Sequence, residues 1–148
     1  MKKTIILALA MLALGGAVSG QQLVTIAAGQ SASPVYDLQA YPGYTAPYPA
    51  VITGIYPPAA LDANSDGVEI LVCRSINSTA CLPMYDANGT LLRFKITGGA
   101  TPTGAIQIDP PSAMPGLRYY KLQVVTSANA AQTQAAARQF LVFGWRQQ

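Results

Sequence analysis

The stretch "VEILVCRSINSTACLPMYDANGTLLRFKI" (Val68–Ile96) decides the fold class. Its opening, Val68–Cys73, is branched and apolar, the composition of a well-packed strand. "RSINSTA" turns the chain and "CLPMY" (Cys81–Tyr85) returns it. "DANG" (Asp86–Gly89) contains Asn-Gly, a strong short hairpin signal, because both residues tolerate the positive φ that a tight turn needs. In "TLLRFKI" (Thr90–Ile96) the apolar Leu92, Phe94 and Ile96 alternate with Arg93 and Lys95, which predicts one dry face and one wet face.

The same pattern extends in both directions. Upstream lie "LVTIA" (Leu23–Ala27), "PVYDL" (Pro34–Leu38) and "AVITGIY" (Ala50–Tyr56), the last stopped by Pro57-Pro58. Downstream lie "AIQID" (Ala105–Asp109), "LRYYKLQVV" (Leu117–Val125) and "RQFLVFGW" (Arg138–Trp145). Eight or nine short strands at close spacing predict an all-β chain, a single antiparallel β-sandwich of jelly-roll or Ig-like type. "SANAAQTQAAAR" (Ser127–Arg138) holds good helix formers but no apolar stripe to bury, so a loop with at most one helical turn is expected.

Composition agrees. The chain has 148 residues, enough for one domain, with 13 Gly, 11 Pro and only 10% charged residues, which argues against a long helical bundle. The start, "MKKTIILALAMLALGGAVSGQQ", has Lys2 and Lys3, then an apolar run Ile5–Leu14, then small residues. That is the three-part pattern of a secretory signal, and the run is too short to span a bilayer comfortably. Residues 1–20 are therefore expected to be a signal peptide, with an uncleaved hydrophobic arm or anchor as the alternative, and 21–148 the folded domain. Export to a periplasmic or extracellular compartment follows from the first reading. Membrane contact is expected only through this segment, if it stays uncleaved.

Beyond Lys3 the chain has seven cations against six acids. The cations are scattered rather than gathered in a stripe, which argues against a nucleic-acid partner. There is no histidine, so the Ser-His-Asp and Cys-His nucleophile arrangements and the usual zinc sites are excluded. The acids fall mostly at strand ends and turns, and a two-carboxylate mechanism would have to draw on pairs such as Asp109 and Glu69. The expectation is a non-enzymatic protein without a cofactor.

Three features remain as candidate sites. "DANSDG" (Asp62–Gly67) places Asp62, Asn64, Asp66 and Gly67 as in the first half of a calcium loop, but the twelfth position is Cys73, which cannot supply the closing carboxylate. A turn leading into the next strand is the favoured reading, since Asp, Asn and Gly serve turns for their own reasons. "AYPGYTAPYPA" (Ala40–Ala50) sets Tyr41, Tyr44 and Tyr48 among three prolines. This is either a stiff, amphipathic contact loop or a rigid loop lying over its own sandwich. Cys73 and Cys81 lie symmetrically about Asn77. If the flanking strands form a hairpin in an oxidising compartment they face each other and pair; in a reducing one they remain two thiols. The triplets Asn77-Ser78-Thr79 and Asn88-Gly89-Thr90 read as turn residues.

The order of the pieces carries a resemblance. "VTIAAGQSASPVYDLQ", "VITGIYPPAAL", "MYDANGT", "AIQIDPPSAMPGLRYYKLQVV" and "NAAQTQAAARQFLVF" together span most of Leu23–Phe143. This series resembles small β-sandwich virion proteins of tailed bacteriophages, of the capsid-associated or decoration type. The resemblance implies a structural or assembly module with no catalytic residues, located in a virion and partnered by proteins or its own copies. The alternative is an exported domain that binds a protein or a glycan through the Tyr/Pro-rich loop.

Overall fold

The computed structural model describes residues 20–38, 50–85, 88–96, 106–107 and 118–146. They form nine strands and no helix: β1 (Gly20–Ile26), β2 (Tyr36–Asp37), β3 (Ala50–Tyr56), β4 (Gly67–Cys73), β5 (Cys81–Pro83), β6 (Arg93–Lys95), β7 (Ile106–Gln107), β8 (Tyr119–Val125) and β9 (Arg138–Arg146). The helix formers of 127–138 stay in turns and loop, as a segment with nothing to bury should.

Two antiparallel sheets result. One has the order β1-β9-β3-β7; the other runs β2-β8-β4-β5, with β6 also on β4. Strand β4 is central. It pairs with β8 over its full length, from Gly67↔Val125 to Cys73↔Tyr119. On its other side Leu71–Cys73 meet β5 and Gly67–Glu69 meet β6. The Asn-Gly turn therefore does not join two neighbouring strands, as a simple hairpin reading implies. β5 and β6 are two halves of one edge strand, and the chain between them pinches off as a small excursion. Its neck is the Tyr85↔Leu91 bridge and the bond from the Leu92 amide to the Met84 carbonyl (2.8 Å). Gly89 sits at φ +79° in this turn, a value open to glycine at no steric cost.

The opposite edge of that sheet is broken too. The Ser33 amide donates to the Leu122 carbonyl (2.9 Å), and the Val124 amide to Ser31 (2.9 Å). After Pro34 the chain resumes pairing as β2, Tyr36↔Tyr120. Ala32↔Gln123 and Tyr36↔Tyr120 differ in register by one residue. Each edge thus carries a proline, Pro34 or Pro83, and a discontinuity, and such features discourage strand-to-strand aggregation.

The core lies between the sheets. Val24 and Ile26 of β1, Ile52 and Ile55 of β3, and Phe140 and Val142 of β9 face Val68 and Ile70 of β4 and Tyr120, Leu122 and Val124 of β8; all are buried. Ile52 and Ile55 are three apart, which breaks strict alternation. A bulge between Ile52 and Gly54 absorbs the extra residue and lets both point inward. Along one side the sheets are stitched by polar contacts: the Thr25 amide donates to the Tyr36 hydroxyl (3.0 Å) and the Tyr120 hydroxyl bonds to Gln22 Oε1 (2.7 Å).

Candidate functional site

The "DANSDG" segment joins β3 of one sheet to β4 of the other, so it crosses an end of the sandwich. Leu61 anchors it in the core. Asp62 then turns inward. Its Oδ1 accepts from Arg138 Nη2 (2.5 Å) and its Oδ2 from the Ala135 amide (2.6 Å). Its own amide donates to Oε1 of Gln134 (3.1 Å), a fully buried side chain whose Nε2 donates onward to Ser65 Oγ (3.1 Å). Asp66 is paired with Arg93, and Arg93 also donates to Asn129 Oδ1 (2.6 Å). The guanidinium reaches Asp66 by lying over Gly67. A Cβ at that position would stand 2.5 Å from Arg93 Nε and 3.0 Å from the Phe94 carbonyl, which explains the glycine without invoking an ion.

Sequence and structure thus bring Asp62, Asn64 and Asp66 to one loop tip, but both carboxylates face guanidiniums, one from each sheet. The bond from the Ala135 amide and then the Arg138 guanidinium hold the Asp62 carboxyl below its ordinary range. Among the described residues no group of three or more His, Cys, Asp or Glu side chains gathers as a metal-binding set. Beside the tip an open, polar cleft of about 470 Å³ runs between Asn64, Ser65 and Asp66 on one wall and Thr126, Ser127 and Gln132 on the other.

The remaining described acids are also committed. Asp37 pairs with Arg118 (3.2 Å), whose guanidinium carbon lies 4.8 Å from the centre of the Tyr119 ring. Glu69 is 3% exposed on the outward side of β4, opposite Arg93 and Gln123, and its Oε1 has no hydrogen-bond partner. Burial pushes its carboxyl up, against the pull of Arg93. Glu69 therefore stands apart from solvent, and Asp109 lies outside the described residues.

At the far end of β4 the cysteines are joined, Cys73 to Cys81, with Cα atoms 4.5 Å apart. They are direct cross-strand partners. The turn they close is tightened by Ser75 and Ser78, whose hydroxyl accepts from the Ser75 amide (2.9 Å). This stapled hairpin and the residues just beyond it carry four exposed large apolar side chains: Val72, Ile76, Tyr85 and Leu82, the last 70% exposed. Val72 and Leu82 are paired across the strands. They share the parity of core residues Val68 and Ile70, so the apolar inner face of the sheet continues into solvent. The sequence carries this signal weakly, as an apolar residue at each position of a hairpin that extends past its covering sheet. Tyr41, Tyr44 and Tyr48 lie outside the described residues.

No family model, curated protein or solved structure matches the chain.

Proposed function

We propose that the protein is a non-enzymatic assembly module that docks through the stapled hairpin onto a protein lattice or onto copies of itself. The observation that carries this reading is the exposed apolar group Val72, Ile76, Leu82 and Tyr85 held on a disulfide-closed hairpin. A contact surface that is rigid before binding loses little conformational entropy on docking. Exposed apolar clusters of this kind mark interaction sites more often than they mark chance. The arginine pairing of Asp37, Asp62 and Asp66 supports the same reading, since it assigns those carboxylates to holding the fold. The resemblance to small virion proteins of tailed phages points the same way.

The test is sedimentation of the protein from its native source, wild type against Leu82→Asp. Wild-type protein should travel with large particles. The variant should stay folded, since Leu82 packs against little, and should remain in the supernatant with at least tenfold loss of particle association. Wild-type protein that sediments as a free small species would refute the reading.

A second reading, an exported domain that binds a protein or glycan, is favoured by the disulfide, which suits an oxidising compartment. Intact mass of the same preparation separates the two. Loss of about twenty N-terminal residues, as signal cleavage removes, in a protein absent from particles supports export.

A further inference from the structure

The outer face of the four-stranded sheet differs in kind from that of the five-stranded one. On the five-stranded sheet the outward positions of the central strands include Glu69, Arg93, Lys95 and Lys121. On the other sheet, Leu23 of β1, Leu141 of β9 and Tyr56 of β3 fall in one row across three neighbouring strands. Phe143 stands one row along, opposite Gln21. Leu23 and Tyr56 are 53% and 52% exposed. Gln21 and Gln139 flank the row along the strands, so these six outward side chains carry no charge. An antiparallel sheet with one face in water ordinarily alternates apolar-in with polar-out. This face is instead apolar on both sides of the backbone along the row.

We propose that this face is a self-association surface and that its occupant is a second copy of the same chain, packed sheet against sheet about a two-fold axis. Three features select that occupant. A two-fold axis through the row lays Leu23, Leu141 and Tyr56 of one copy against the same residues of the other, so the patch is its own complement. With no charge among these side chains, a second copy of this cationic chain meets no like-charge repulsion there, and no ionic group is buried unpaired. The size also fits. Four strands about 4.8 Å apart and seven residues of about 3.4 Å each span about 19 by 24 Å, or about 900 Å² over two copies. That lies at the low end of specific interfaces, so the dimer is weak and concentration-dependent. This surface lies on the opposite sheet from the stapled hairpin, and the inference goes beyond the docking reading without depending on it.

The test is sedimentation velocity of the purified chain from about 1 to about 300 μM, a range that brackets a micromolar dissociation constant. Wild-type protein should move from monomer to dimer mass across that range. Leu23→Lys and Tyr56→Lys each place two cations face to face at the axis, and each should weaken the dimer at least tenfold while leaving the thermal midpoint close to wild type. Leu82→Asp should leave it intact. A chain that stays monomeric throughout, or a dimer that persists in both lysine variants, overturns the proposal. Loss of the dimer in Leu82→Asp alone would place self-association at the hairpin and overturn it equally.

Discussion

Two carboxylates show how residue identity and environment part company. Asp62 and Glu69 are both acids near an arginine, yet their protonation works in opposite directions. Asp62 is held ionised by the Ala135 amide and the Arg138 guanidinium, so its folded pKa lies below its unfolded one. The stability it contributes is present above the ordinary aspartate range and is lost as pH falls through it. Asp62→Asn should lower the thermal midpoint at pH 7, and the gap to wild type should shrink below about pH 4. Glu69 is raised by burial, so its charge is a penalty at neutral pH that is relieved on acidification. Glu69→Gln should raise the midpoint at pH 7 by on the order of a few degrees, with the gain fading as pH falls. Thermal melts of both variants from pH 3 to about 8 check the pair of signs. None of this was legible in the chain. Arg138 lies 76 residues from Asp62, Arg118 lies 81 from Asp37, and Arg93 lies 27 from Asp66. Pairings of that reach follow from the fold and leave no local trace.

Elements were far more readable, because strand signals are local. β3 matches its apolar run residue for residue, and β4, β8 and β9 fall within one or two residues of theirs. Alternation in Leu92, Phe94 and Ile96 did mark the face that packs on the core. What stayed hidden was how β5 and β6 relate. A turn signal says that the chain reverses locally, but it does not say whether the two arms become neighbours or take up one edge in succession. The cysteine spacing was legible in the same conditional way: pairing required a hairpin, and the hairpin formed. Closing a ring this small should contribute roughly 2–3 kcal/mol by chain entropy. The double variant Cys73→Ala/Cys81→Ala should lose about that much in denaturant unfolding, with β4 still paired to β8. A loss near zero would mean that the hairpin is ordered without its staple, and that preorganisation of Val72 and Leu82 comes from β4 alone.

At the scale of the whole molecule, one sheet holds the first described strand beside the last. β1 pairs with β9 from Gly20↔Gly144 to Ile26↔Arg138. Because the strands are antiparallel, Gly20 and Gly144 sit at the same end of the ladder. A force that draws Gly20 away from Arg146 therefore loads the first rung alone. The rungs then fail in sequence, like a zipper, instead of sharing the load as they would in shear. Core residues Val24 and Ile26 leave with β1, which exposes the interior early. A protein fixed to a surface through these two points would yield at low force. One attached through β4 and β8, whose pairing lies at the middle of the other sheet, would present its strongest axis to the same pull.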